Sequence, residues 1–284
     1  PYTESDVKEV ARALTGWRDE TNNENNSDPD YPGFRYDNNR HDYLGPKMVL
    51  GQVVHSPGDG ELEGFQVIAV AVEHPSTAPF ICGKLVRRLV GDDPPFVLVD
   101  QCAQAFVAAH SAPDQLRTVT ELILKSKEFQ LFPEYRRSKV KRPVVLMASA
   151  LRALIVDIDP MATDYRDVRI TLGDLGERIR NADPPTGYPD QSIVWASPGG
   201  MMQRFNLLEA AAQQHASGWG VSGALAHADI VDQTAAVLLP LAAVTPATRS
   251  AAIGYLDSLV TATNAEKVEQ AGAFLLSSPE FLTH

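Results

Sequence analysis

The chain has 284 residues, is 44% hydrophobic, and carries 36 acidic against 25 basic side chains, a net charge of −11. That length and apolar content support one large core or two moderate ones, which sets a disordered chain aside. The acidic excess repels phosphate backbones and anionic lipid headgroups, so nucleic acid and membrane surfaces are poor partners, and the apolar run Ala235 to Val244 is far shorter than the ~20 residues that cross a bilayer.

Read in order, Thr3 with Asp6 makes an N-cap, and Val7, Val10, Ala11, Leu14 and Trp17 recur at helical spacing, giving an amphipathic helix that ends near Gly16. Arg12 lies off that stripe, the place of either a solvated charge or a partner for a nearby carboxylate. From Asp19 to Asn39 the composition is that of a polar loop; its oxygens invite calcium, but the spacing of a calcium loop is missing. Phe34 to Tyr36 and Lys47 to Leu50 read as the two strands of a hairpin-like element, near 33–51, with His41 and Asp42 in the connection. Leu62, Phe65, Ile68, Ala69 and Val72 then make one helical apolar face, and Phe80, Ile81, Leu85 and Leu89 the next, with His74-Pro75 between them.

The spans 94–110 and 113–126 form a helical pair, closed by Phe129, Leu131 and Phe132 as apolar plugs. A buried helix follows from Pro143 to Asp157. Asn181 to Gly200 is too rich in proline and glycine for a helix, and Tyr188 and Trp195 give that loop apolar anchors. Helices resume at Met201 to Ala216 and, after Ser217-Gly218-Trp219-Gly220, from Ala228, Pro246 and Ala265. Val99-Asp100-Gln101 through Ser126-Lys127-Glu128-Phe129 is echoed by Val231-Asp232-Gln233 through Ser278-Pro279-Glu280-Phe281, the mark of a duplicated helical hairpin or of chance.

The chemistry concentrates in Arg40 to Gly51, where His41, Asp42 and Lys47 stand among turn-forming residues. In the functional reading His41 is a general base or metal ligand oriented by Asp42, and Lys47 stabilises an anion. In the structural reading Asp42 ties the hairpin and Lys47 neutralises it. His74 either joins His41 as a second binding histidine or caps a helix junction. Lys84, Arg87 and Arg88 form a basic cluster, either a solvated face or a site for an acidic partner, while Trp17, Trp195 and Trp219 suit core or loop anchors. The zinc-protease, haem-attachment, α/β-hydrolase and phosphate-loop motifs are absent from the sequence. Cys82 and Cys102 leave two arrangements open, buried thiols or one disulfide; the length of the chain favours thiols. A start at Pro1, with neither methionine nor signal-peptide pattern, fits a processed product or an excised piece.

Ala11-Arg12-Ala13-Leu14-Thr15-Gly16-Trp17, His41-Asp42 with Gly45 and Lys47 leading to Leu50-Gly51, His74-Pro75-Ser76-Thr77-Ala78, Lys84-Leu85, Asp93-Pro94-Pro95, Glu128-Phe129, Lys141-Arg142-Pro143, Ala150 to Ala153 and Pro185-Thr186-Gly187-Tyr188-Pro189 to Trp195 together resemble the bacterial domain-of-unknown-function 1800 family. The likeness runs to about Asn206 and is loose after Ala216. Leu175-Gly176-Glu177 stands where the family tends to have Met-Gly-Gln, and this sequence does not include the helical portion the family usually carries ahead of the Arg12 helix, so the expectation is that part of any site is either missing or supplied by another chain. The resemblance implies a secreted or periplasmic bacterial protein, often encoded beside a domain-of-unknown-function 1501 protein that resembles alkaline phosphatases and sulfatases. It implies no reaction.

The expectation is a mainly α fold, a multi-helix bundle-like body with one small β-hairpin, in which 1–216 form a family-like helical domain and 217–284 a C-terminal helical subdomain, either distinct or packed with it as one body. The leading function is an accessory or binding protein that works with another exported protein. The rival is a metal-assisted hydrolase centred on His41, Asp42 and Lys47, with His41 and Asp42 on a divalent metal. Arg12, Trp17, His74, Tyr188 and Trp195 are the expected binding residues.

Overall fold

The computed structural model describes residues 2–19, 33–156, 163–182, 184–240 and 243–284. The Asn22 to Asn26 and Asp28 to Asp30 runs, and with them the calcium alternative, lie outside the described residues. The protein is 62% helical, with fourteen α-helices and two small two-stranded sheets among the described residues, so it is mainly α as the periodicity predicts. It divides into two compact units, Pro1–Cys82 with Cys102–His110, and Gly83–Gln101 with Ser111–His284.

In the first unit, α1 (Glu4–Ala13) opens with a reciprocal capping box between Thr3 and Asp6. It stops three residues earlier than expected. Leu14 is its C-cap, Gly16 takes φ +86°, and Trp17 leaves the helical stripe to start a strand. That strand, β1 (Trp17–Asp19), pairs antiparallel with β2 (Phe34–Tyr36), placing Trp17 opposite Tyr36. A single-turn 3-10 helix, Asn38–Arg40, carries the chain on to His41. Next, β3 (Lys47–Val49) pairs with β4 (Gln52–Val54) across a two-residue turn in which Leu50 and Gly51 both have positive φ. The expected pairing of 34–36 with 47–50 is therefore corrected: both strands exist, but each has found another partner. The reason is that Leu50-Gly51 supplies a tight hairpin turn immediately after β3, although it lacks the usual Asn or Asp.

The following helix, α2 (Gly60–Glu73), begins at Asp59, whose carboxylate accepts from the Leu62 amide. Its buried residues are Gly60, Glu63, Gly64, Val67 and Val70. The stripe of larger side chains, Leu62, Phe65, Ile68 and Val72, is instead 44 to 50% exposed. Two rings account for this. A Cβ at Gly60 would overlap the His41 ring, and one at Gly64 would overlap the Trp17 indole, so the inward face must be nearly bare backbone. Val67 and Val70 of α2 form a small apolar cluster with Val10, Ala13, Val49, Leu50 and Val54.

Two helices then span the boundary between units, α3 (Thr77–Leu89) and α4 (Phe96–Ala108). Cys82 and Cys102 are joined in a disulfide with a Cα separation of 5.7 Å. This corrects the preference for free thiols: chain length argued against a disulfide, yet the two helices bring the Cα atoms within bonding range. The bond lies at the points where the chain leaves the first unit and re-enters it.

The second unit continues with α5 (Gln115–Lys125), α6 (Lys127–Gln130), α7 (Pro143–Ala153), α8 (Thr163–Asp174), α9 (Ser192–Trp195), α10 (Pro198–His215), α11 (His227–Leu238), α12 (Pro246–Ser258), α13 (Asn264–Leu276) and α14 (Pro279–Leu282). Its core gathers buried residues from Leu146 on α7, Leu208 and Ala212 on α10, Ile230 and Leu238 on α11, Leu256 on α12 and Leu275 on α13. Ala216 and Trp219, in the 3-10 turn after α10, belong to the same cluster. Pro198-Gly199-Gly200, expected in the loop, is instead the first turn of α10: Ser197 caps it, and proline suits a position whose N–H has no helical partner. Phe129, Leu131 and Phe132, expected as plugs, remain exposed. In the echoed segments, α6 and α14 are the matching short final helices, behind Ser126 and Ser278. The second segment also holds α12, a helix without a counterpart in the first.

Candidate functional site

The centre of the first unit is Glu63, one turn into α2 and almost fully enclosed. The Lys47 ammonium, at the start of β3 and also enclosed, donates to Glu63 Oε2 at 2.5 Å and to the Asp42 carbonyl at 2.6 Å. His41 fills the remaining side: Nε2 lies 3.1 Å from the same Glu63 oxygen and Nδ1 2.8 Å from the Thr15 carbonyl. Glu63 Oε1 accepts from the Ser56 amide at 3.0 Å and lies 3.4 Å from His55 Nδ1. Burial pushes the Glu63 carboxyl up, but Lys47, the Ser56 N–H and His41 together outweigh it and hold the group below its ordinary value. The carboxylate is fully partnered, which is the condition under which a buried charge is tolerated.

Asp42 belongs to a second, more exposed group. Its carboxylate receives Arg12 Nε at 2.9 Å and Nη2 at 3.3 Å in a bidentate fork, and the Leu44 amide at 2.8 Å. Arg12 also reaches Glu9 at 2.8 Å and the Leu44 carbonyl at 2.6 Å. The Arg12 fork, followed by the Leu44 N–H, lowers the Asp42 pKa to about 2. Thr15 stitches the two groups together: its hydroxyl donates to the Arg12 carbonyl and accepts from the Asp42 amide, while its carbonyl holds His41. Asp6 adds a third anchor by accepting from the Leu50 amide at 2.7 Å.

Of the residues singled out in the sequence, His41 and Lys47 therefore meet, but on Glu63. Asp42 does not orient His41; neighbours in the chain, their side chains diverge, one inward and one to Arg12. With both His41 nitrogens on oxygen acceptors and the Asp42 oxygens on Arg12 and Leu44, the two side chains do not present donor atoms to one metal position. Among the described residues no group of three or more His, Cys, Asp or Glu side chains has the arrangement to hold a metal ion. Trp17 packs between Phe34 and Phe65, at ring-centroid distances of 4.9 and 5.1 Å. His74 takes the capping role, its Nδ1 accepting from the Ser76 amide at 3.1 Å.

Tyr188 and Trp195 lie in the second unit, where they shape the 184–195 loop. The Tyr188 hydroxyl is 3.0 Å from both the Arg178 and Asn181 carbonyls, and the Trp195 indole N–H donates to the Pro189 carbonyl. Asp190 is held by Arg88 and Arg142, and Arg142 also pairs with the buried Glu177. Glu177 accepts in addition from the Val144 amide, in the first turn of α7.

Sequence reading missed Glu63, Thr15 and Glu177. Glu63 left a trace: Gly60, Glu63, Gly64 and Val67 follow helical spacing opposite the bulky stripe, a pattern of small residues around one carboxylate.

A small, helix-backed polar centre of this kind, in a mainly α chain, defines a class by its scaffold rather than by a reaction. Residues 1–283 match the family described as protein of unknown function, DUF1800, and the chain belongs to that family. The match continues through the closing helices, past Asn206 where the motif likeness thins. No curated protein and no solved structure matches the chain.

Proposed function

We propose that this chain is an exported accessory protein that docks onto another exported protein through the outer face of α2. The observation that carries this reading is the run Leu62, Phe65, Ile68 and Val72, each 44 to 50% exposed, on a helix whose opposite face is fully used. Phe34 and Val53, also exposed, extend the apolar surface of this unit. Contiguous apolar surface of this kind marks interaction sites on soluble proteins. Its charge specifies the partner's chemistry. Glu61 and Glu73 stand at the two ends of the stripe and α2 contains no lysine or arginine, so the complementary surface is an apolar strip flanked by basic side chains.

Export is supported by the Cys82–Cys102 disulfide, since such bonds persist in oxidising compartments. The family resemblance makes a domain-of-unknown-function 1501 protein the first partner to try. The hydrolytic alternative requires His41, Asp42 and Lys47 to reach a substrate, and it draws no support from an imidazole and an ammonium enclosed around Glu63. The test is affinity capture of that candidate by the full chain and by a Phe65→Glu/Ile68→Glu variant whose melting temperature is unchanged. Stoichiometric capture lost in the variant is expected; equal capture by both, or none by either, overturns the proposal.

A further inference from the structure

We infer that the cleft between α3 and the 184–191 loop, within the second unit, is a binding site for a small oxyanion. The cavity has a volume of about 410 Å³, within the range of small-molecule sites, and Lys84, Arg87, Thr186, Gly187, Tyr188 and Gln191 are among its lining residues. Two of its lining side chains, Lys84 and Arg87, both on α3, are cationic in a chain whose net charge is −11. That concentration is local: Lys84, Arg87 and Arg88 are joined in the same unit by Arg136, Arg137, Lys139, Lys141 and Arg142.

Arg87 is the deciding group. It is half-buried, and its side-chain partner is the Asp92 carbonyl, which accepts from Nε at 3.2 Å; no carboxylate pairs with it among the described residues. A guanidinium offers five donors in a planar fork, so its terminal nitrogens retain the geometry that grips a carboxylate, phosphate or sulfate with two parallel hydrogen bonds. The acid in the cavity wall does not cancel this charge, because Asp190 is already held by two arginines, Arg88 at 3.2 Å and Arg142 at 3.3 Å. Asp92 is likewise engaged, by Lys139 at 3.2 Å and by the Ser192 amide at 2.6 Å. Burial, and after it Arg88, Lys141 and Lys139 against an opposing Asp92, push the His284 imidazole below its ordinary value.

The facing wall is fixed in advance. Asp190, Ser192 and Trp195 tie the loop to Arg88, to the Val140 amide and to Pro189, so Thr186 and Gln191 are presented as neutral hydrogen-bonding groups on a held backbone. Tyr188, Pro184 and Pro189 add ring surfaces. The ligand chemistry is therefore an oxyanion on a compact polar body, and carboxylate, phosphate and sulfate forms share it.

The experiment is calorimetric titration of the full chain with sodium phosphate, sodium sulfate and sodium glucuronate in turn, each against chloride at matched ionic strength. Saturable binding of at least one is expected, weakened about tenfold or more by Arg87→Gln, weakened less by Arg87→Lys, which keeps the charge but loses the fork, and unchanged by Arg117→Gln on α5. Thr186→Trp, which obstructs the cleft without altering a charge, is expected to abolish it as well. Preference for glucuronate points to an organic acid, and equal binding of phosphate or sulfate to a tetrahedral anion. Absence of saturable binding by all three, or binding indifferent to Arg87→Gln or to Thr186→Trp, overturns the inference.

Discussion

The two compact units solve the same problem by opposite means. The second buries leucines, alanines and valines, with Ile230, from α7, α10, α11, α12 and α13 in a continuous apolar core. The first has a handful of small apolar residues, Ala13, Val49, Val54, Val67 and Val70, and gives its central space to Lys47, Glu63 and His41. An apolar core degrades by increments, because each lost methylene removes a bounded amount of burial. A buried ion network fails abruptly, because removing one partner leaves the others charged and out of water.

The largest effect therefore falls on Glu63. Glu63→Ala strands the Lys47 ammonium and is expected to destabilise the first unit by roughly 3 to 5 kcal/mol, read by chemical denaturation. Leu275→Ala, in the core of the second unit, belongs to the range of about 2 to 5 kcal/mol set by cavity formation, and Leu→Met there is expected to recover most of the loss. No such conservative rescue exists for Glu63: Glu63→Gln keeps the shape but not the charge that Lys47 needs.

Reduction of Cys82–Cys102 comes next. The bond closes a loop with a sequence separation of 20, for which chain entropy gives about 3 kcal/mol. A melting curve with and without reductant is expected to show the loss, and an unchanged curve would assign the bond no stabilising role. Gly64→Ala follows, since its methyl would overlap the Trp17 indole. Displacement of that ring costs about 1 to 3 kcal/mol of overpacking and should appear as a change in tryptophan emission.

The smallest effect is electrostatic. Asp42 is held at about 2 by Arg12 and the Leu44 N–H, against about 3.9 in an unfolded chain. A depressed carboxylate pKa adds stability that is present above the unfolded value and lost as pH falls through the folded one. Stability should accordingly decline from about pH 4 towards pH 2, with Glu280, also held at about 2 as the Thr245 and Thr248 hydrogen bonds outweigh its burial, contributing in the same window in the second unit. In Arg12→Gln the Asp42 titration, followed by carbon-13 NMR, should move upward towards 3.9. A midpoint that stays near 2 would place the cause elsewhere.

The same contrast explains what could be read from the chain alone. Long periodic helices such as α10, α11 and α13 announce themselves because their cores are apolar, and the strands at 34–36 and 47–49 show in their composition. Pairing was hidden, because three-residue strands carry no register information and Leu50-Gly51 does not look like a hairpin turn. The polar centre was half legible. His41 and Lys47 stand out as side chains, but Glu63 lies in a helix whose conspicuous apolar stripe points outward, and the glycines that admit the His41 and Trp17 rings look like weakness rather than fit. Tertiary context reversed the helix face, which no period count could foresee.

The claim on which the rest depends is that Glu63 holds the first unit together as a structural hub. Native-state hydrogen exchange on folded Glu63→Gln tests it most directly. The prediction is that amides around the hub, on β3, β4 and α2, lose protection by several orders of magnitude while those of α10 and α13 keep theirs. Protection unchanged around the hub, with Lys47 and His41 still enclosed, would contradict it.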